Sequence, residues 1–314
     1  MTDEKKTVVK RLSLYIVLTF LLTYVFEYFL CTKLMDYFQL GAMAAMLIPG
    51  AVTAIVCGGL TEKRAGIKWK PNIKKNVRWL LFAWFVPAVL TVLGAAVYFC
   101  VYRKDFGSDL PGLVSMLTEQ GVDVSDGTIQ GLSLTAFVAV QAAEAILIAP
   151  FVNMLAAVGE EIGWRGFMTP AIQKLTGKKL GLIISGVIWG LWHAPLIVLA
   201  GYEYGTDYFG EPWFGVVLFC YITTLIGIIL SFLYDRSGSI LYPTLFHGAF
   251  NAIAALPLLF TINEHGSVIM GPAPQGILGA LPMLVIAVVI IIKYEPEMQN
   301  EMAEAAVTEQ NTEE

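Results

Sequence analysis

Charge is the scarcest resource in this sequence. Only 14% of its 314 residues are charged, where soluble domains carry about 25%. The shortage is concentrated in long apolar blocks, which excludes an ordinary soluble domain. Cysteine is also scarce. Cys31, Cys57, Cys100 and Cys220 lie far apart and form no CxxC pair, so neither a disulfide frame nor a thiolate zinc site is supported. Histidine occurs three times and no HExxH motif is present. No basic face suggests nucleic acid as a partner. No internal repeat of the kind common in transporters is visible.

The apolar blocks themselves define the class. A spanning helix needs roughly 20 apolar residues, at about 1.5 Å rise each across about 30 Å of hydrocarbon. Eight segments are expected to span: 12–31, 40–60, 79–101, 137–167, 180–200, 213–234, 240–260 and 276–292. The predicted fold is therefore an all-α, polytopic membrane helix bundle of about eight transmembrane helices. Residues 1–11 read as a cytoplasmic N-terminus and 12–292 as a single membrane domain. The first apolar run is long enough to span and lacks a small-x-small cleavage site, so it reads as a retained helix rather than a signal peptide. The stretch after Lys293 holds seven Glu and no basic residue, and 293–314 reads as a solvated, disordered acidic tail.

Lys and Arg stay on the cytoplasmic side of a membrane. The N-terminus carries Lys5, Lys6, Lys10 and Arg11, the second connection seven basic residues between Lys63 and Arg78, and the fourth Lys174, Lys178 and Lys179. The alternate connections carry only Lys33, Arg103 and Lys104. This pattern predicts a cell-membrane protein with both termini cytoplasmic.

Ionisable residues inside spans are costly and mark functional sites by default. Three clusters qualify: Gly159-Glu160-Glu161-Ile162-Gly163-Trp164-Arg165-Gly166, Trp189-Gly190-Leu191-Trp192-His193, and His247-Gly248-Ala249-Phe250-Asn251. Glu161 and Arg165 are four apart and can pair. Glu160 is rotated by about 100° and has no partner by spacing, and an unpaired carboxylate in a low-dielectric pocket suits acid–base work. His247 and Asn251 share a face and can aim two hydrogen-bonding groups at one point, as an oxyanion site requires. By residue counting, Glu160, His193 and His247 lie roughly 12–20 Å below the cytoplasmic surface, which predicts one cavity open to the cytoplasm. Gly159-xxx-Gly163 and Gly186-xxx-Gly190 are patterns that let helices approach closely. Any one cluster is compatible with a structural role, whereas three at matched depth favour a site. Glu27, Glu144 and the tryptophans read as structural or interfacial. His265 lies in a polar loop and has no partner by spacing.

Together, Glu160-Glu161-x-x-x-Arg165-Gly166, an aromatic-x-x-x-His193 and His247-x-x-x-Asn251 resemble the three motifs of the CPBP intramembrane proteases. That group includes the CAAX prenyl endopeptidase Rce and the bacterial Abi and bacteriocin-immunity proteins. The resemblance covers about residues 143–255. It departs at Trp189, where the family usually has Phe. It implies an eight-helix bundle that hydrolyses a peptide bond of a membrane-associated protein or peptide precursor within the bilayer. By that resemblance Glu160 would activate water with His193 assisting, His247 and Asn251 would form the oxyanion site, and Glu161 and Arg165 would organise the pocket or grip substrate. No cofactor is expected. The zinc-dependent alternative would use Glu160, His193 and His247 as ligands. Neither a GxSG serine site nor paired Asp motifs occur in the spans. The rival from another class is a non-catalytic immunity or scaffold protein.

Overall fold

The computed structural model describes residues 2–262 and 268–293. His265 and the tail 294–314 lie outside the described residues. The chain is a helical bundle with one two-residue antiparallel hairpin, β1 (Thr128–Ile129) and β2 (Leu132–Ser133). Six helical stretches are long and apolar enough to cross a membrane: Asp3–Lys33, Met35–Cys57, Ile73–Val101, Lys178–Ala200, Trp213–Ser237 and Leu241–Phe260. A seventh span is a bent pair, Leu134–Leu147 with Ala149–Thr176, at 48°. The expected eighth is a shorter apolar helix, Leu281–Lys293. The protein is thus a multi-pass membrane protein.

In chain order the helices are α1 (Asp3–Lys33), α2 (Phe38–Ala45), α3 (Ile48–Cys57), α4 (Glu62–Ala65), α5 (Ile73–Val101), α6 (Pro111–Glu119), α7 (Leu134–Leu147), α8 (Ala149–Glu161), α9 (Thr169–Thr176), α10 (Lys178–Trp192), α11 (Ala194–Ala200), α12 (Trp213–Ser237) and α13 (Leu241–Ile253). The last apolar helix is α14 (Leu281–Lys293).

Two prolines set the breaks that shape the site. Proline has no N–H to give, so the carbonyl four residues earlier loses its helical partner. Pro150 opens α8, and the stranded carbonyl of Ile146 accepts the indole N–H of Trp84 at 2.6 Å. Pro195 opens α11, and the stranded carbonyl of Leu191 accepts the hydroxyl of Tyr24 at 2.7 Å. In both cases a side chain from another helix satisfies the freed acceptor, so the break does not leave an unpaired carbonyl in the apolar interior.

Helix α1 turns its polar groups inward. Tyr15, Thr19, Thr23 and Glu27 recur every fourth residue and are all fully buried, while Val17, Leu21 and Val25 are more than half or about half exposed on the opposite side. In lipid this inversion is expected, since apolar side chains meet acyl chains at no cost. Close helix approach depends on glycine where the sequence placed it. A Cβ on Gly190 would meet the Cα of Cys220 at 2.4 Å, and one on Gly186 would meet the Cα of Thr224 at 2.4 Å, so α10 lies directly on α12. A Cβ on Gly159 would meet the carbonyl of Met46 at 2.5 Å, bringing α8 onto the α2–α3 junction.

The bundle has two chemically different ends. At one, Lys178 pairs with Asp235 at 3.4 Å, Asn76 donates to the carbonyl of Ser237 at 2.9 Å, and Tyr242 donates to the carbonyl of Pro71 at 2.6 Å. These contacts gather the connections 58–72, 174–179 and 234–242, which carry eight of the 20 Lys and Arg. At the other end, the amide of Gly107 donates to the carbonyl of Phe260, the amide of Ile262 to that of Asp105, and Tyr204 to that of Gln275.

Candidate active site

The chain continues from α8 into a seven-residue π-helical segment, Ile162–Met168. Such segments are rare and concentrate at functional sites. Here it follows the Glu160-Glu161 pair directly. A Cβ on Gly163 would meet Pro49 Cβ and the Tyr15 hydroxyl at 2.4 Å, so the widened turn is pressed against α3 and α1.

The two glutamates point to different partners, as the helix-face argument requires. Glu161 Oε1 accepts from Arg165 Nη1 at 3.0 Å. The same oxygen also accepts from His247 Nδ1 at 2.8 Å. A carboxylate oxygen accepts, so the imidazole proton sits on Nδ1 and Nε2 is left for other use. The Arg165 guanidinium stacks over the Trp189 ring, 4.0 Å from its centroid. Glu161, Arg165 and His247 are all buried.

Glu160 is not the unpartnered carboxylate that spacing suggests. Its Oε2 accepts two indole N–H groups, from Trp164 at 2.9 Å and Trp189 at 2.5 Å. The reading of these two tryptophans as mere packing is corrected accordingly. The two donors fix the rotation of the carboxylate and leave Oε1 without a protein donor among the described residues. Two signals were available in the sequence. Trp164 sits four residues after Glu160 on one helix, and Trp189 occupies the aromatic position of the second motif.

His193 closes α10. Its backbone N–H bonds to the carbonyl of Gly190 rather than to that of Trp189. The freed Trp189 carbonyl accepts His193 Nδ1 at 3.0 Å. A carbonyl cannot donate, so Nδ1 carries the proton and Nε2 is the basic nitrogen. The ring is held edge-on between Trp192 and Phe219, at centroid distances of 4.6 and 4.7 Å.

Glu160, His193, His247 and Asn251 line one cavity of about 360 Å³. All four sequence-derived residues are therefore brought together, with Glu161 and Arg165 behind them. Asn251 is exposed in this cavity, one turn beyond His247 on α13. Among the described residues no three His, Cys, Asp or Glu side chains assemble as a metal-ligand set. The trio Glu160, His193 and His247 does not come together in that way, and one oxygen of Glu160 is already occupied by indole donors.

Of the structural and interfacial readings of Glu27, burial favours the structural one: it is fully buried, and neither carboxylate oxygen has a partner among the described residues. Glu144, by contrast, is exposed. The cavity is also lined by Phe38 and Gln39 of α2, Glu203, Leu258 and Gln275. None of its lining comes from connections 58–72, 174–179 or 234–242. Burial pushes the carboxyl of Glu203, in the loop after α11, above its ordinary value.

Comparison with known proteins agrees with this geometry. Residues 142–253 match the family model described as Type II CAAX prenyl endopeptidase Rce1-like. All six site residues fall inside that stretch. That stretch is similar to the CPBP family of CAAX-type proteases. The chain is also similar to a CAAX prenyl protease 2 from Methanococcus maripaludis, 35% identical over 104 residues. That alignment takes in 32% of this chain and 37% of the relative, so the chain matches little more than a third of the relative's length. The CPBP match begins at Ala142, late in α7, and ends with α13. It thus contains the break of the bent span, the π segment, His193 and His247, while α1, α2 and α3 lie outside it.

Proposed function

We propose that this protein is an intramembrane endopeptidase that hydrolyses a peptide bond of a membrane-associated protein or peptide with a glutamate-activated water. The observation that carries the reading is the fixed carboxylate of Glu160. Two indole donors hold Oε2, so Oε1 is aimed by default at the cavity shared with His193, His247 and Asn251. The family match of residues 142–253 makes peptidase chemistry the natural use of such a pocket.

In this reading a water bridges Glu160 Oε1 and His193 Nε2. Glu160 takes one proton as the water oxygen attacks the peptide carbonyl, and His193 holds the second hydrogen in line. The carbonyl oxygen becomes an oxyanion, received by the Asn251 amide and by His247. His247 keeps Nδ1–H on Glu161, so it meets the oxyanion through Nε2. The proton on Glu160 passes to the leaving amine as the carbon–nitrogen bond breaks. Glu161 and Arg165 act through His247 and Trp189 and position them. A general base and preorganised oxyanion donors are each worth about 10²–10⁴-fold or less in rate.

The test is cleavage profiling of a peptide library by the purified, lipid-reconstituted protein beside its Glu160→Gln variant. Peptides cut by the native protein and left whole by the variant support the reading. Identical profiles from the two proteins overturn it.

A further inference from the structure

The connection between α3 and α5 carries chemistry that the candidate active site does not use. Between Leu60 and Arg78 lie seven basic residues and one acid, Glu62. Arg64 donates to the carbonyl of Gly58, and the Arg78 guanidinium lies over the Trp79 ring. Lys63, Lys68, Lys70, Lys74 and Lys75 are exposed, and among the described residues none has a carboxylate at ion-pair distance. The main chain beneath two of them is pinned. The Lys68 amide donates to the Tyr234 hydroxyl at 3.0 Å. The carbonyls of Lys68, Trp69 and Pro71 accept from the Ile240 amide at 2.8 Å, the Ser239 hydroxyl at 3.0 Å and the Tyr242 hydroxyl at 2.6 Å. Ile67 is fully buried in a cluster with Ile162 and Ile240. Lys68 and Lys70 therefore stand on a fixed strap, so an anion bound between them would have little backbone to order. A groove of about 640 Å³ is lined by Glu62, Lys68, Trp69, Lys70, Asn72 and, from the α12–α13 turn, Gly238. That volume lies in the roughly 300–1,000 Å³ range of small-molecule sites.

What adjoins the groove selects its occupant. Helix α5 begins at Ile73, directly after Asn72, and is long and apolar enough to cross a membrane. Ile73, Val77, Leu81, Phe85 and Val89 recur every fourth residue along it and are all exposed. Residues at that interval form a continuous ridge on a helix surface, so an apolar track runs from the groove along the span. Trp69 is partly exposed, and its indole N–H is fixed on the carbonyl of Leu60 at 2.8 Å. Tryptophan at the end of a span is the usual mark of the headgroup level. We infer that the groove binds an anionic phospholipid, with the phosphate against Lys68 and Lys70 and an acyl chain along the Ile73–Val89 ridge. A free phosphate or an acidic peptide would use the lysines and leave the ridge idle, whereas a phospholipid uses both. Basic pockets beside spans recognise lipid headgroups, each Lys contributing about 1 kcal/mol. This site is independent of the endopeptidase reading.

The test uses the full chain, purified in a neutral detergent and stripped of lipid. It is titrated with phosphatidylglycerol, with phosphatidylcholine of the same acyl chains, and with inorganic phosphate. Native mass spectra count the bound lipid, and the rise in melting temperature along each titration gives the affinity. Phosphatidylglycerol is expected to bind and stabilise, and the other two to do so far more weakly. Lys68→Gln/Lys70→Gln should weaken the phosphatidylglycerol response about 30-fold, two lysines at about 1 kcal/mol each. Neither lysine has a carboxylate partner to lose, so the lipid-free melting temperature should stay as it was. Lys5→Gln/Lys10→Gln makes the same charge change on α1, outside the groove, and should leave the response intact. Equal weakening by the two double variants would overturn the site in favour of diffuse attraction to the whole basic end. Equal responses to phosphatidylglycerol and phosphatidylcholine would overturn the role of the lysines. A phosphate response matching that of phosphatidylglycerol would overturn the lipid and assign the groove to a free anion.

Discussion

The Glu161–Arg165–His247 cluster makes the most discriminating quantitative test. All three side chains are buried, so solvent screening gives little relief. Glu161 Oε1 serves both neighbours, at 3.0 and 2.8 Å, and Oε2 has no partner among the described residues. Removing one member of a buried pair leaves an uncompensated charge, which costs about 3–5 kcal/mol. Glu161→Gln leaves Arg165 charged with only the Trp189 face and the neighbouring Glu160 near it, so the full cost is expected. Arg165→Gln is different. His247 still donates to Glu161, so that variant should be less destabilised. The double variant Glu161→Gln/Arg165→Gln holds no lone charge and should recover part of the stability lost by Glu161→Gln. Melting curves of the three variants and the native protein in one detergent provide the measurement. Additive losses in the double variant would refute the coupling.

Glu160→Gln should retain stability, because its amide oxygen can still accept both indoles, yet turnover should fall by about 10²–10⁴-fold. Glu160→Leu should in addition lose stability, since it strands two buried N–H groups at about 1–3 kcal/mol each; equal melting temperatures for the two variants would contradict the indole contacts. Glu27→Leu removes two buried oxygens that have no partner, so the melting temperature should rise while insertion is unaffected; a large loss of stability would show that Glu27 is satisfied after all. Chelators should leave peptide cleavage intact, and metal analysis should find well under one zinc per chain; loss on chelation with recovery on adding zinc would reassign Glu160, His193 and His247 as ligands.

Much of the membrane architecture could be read from the chain because spanning helices announce themselves by length and apolarity. The apolar runs at 79–101 and 213–234 correspond to α5 and α12 with only their ends extended. The run at 137–167 showed where the bent span lies but not its 48° break. The break falls at Pro150, and the carbonyl it frees is met by Trp84 from another helix. Within the site, the Glu161–Arg165 pair follows from four-residue spacing. The Glu161–His247 bond does not, since it joins residues 86 apart. The indole contacts of Glu160 were half accessible, one by spacing and one only by fold.

The inward polar stripe of α1 has a consequence for how the protein is made. Thr23 finds its partner in Trp192, 169 residues later, and Glu27 is enclosed only once the rest of the bundle exists. At synthesis rates of about 5–20 residues per second, α1 waits on the order of ten seconds or more before that partner leaves the ribosome. During that interval its hydroxyls and carboxyl face either lipid or the insertion machinery. The apolar face of α1 can commit the helix to the bilayer, and Tyr15 can seat against Trp164 and Phe167 earlier, but the Thr23 end of the stripe is satisfied only when α10 arrives. Assembly of the site is therefore a late event.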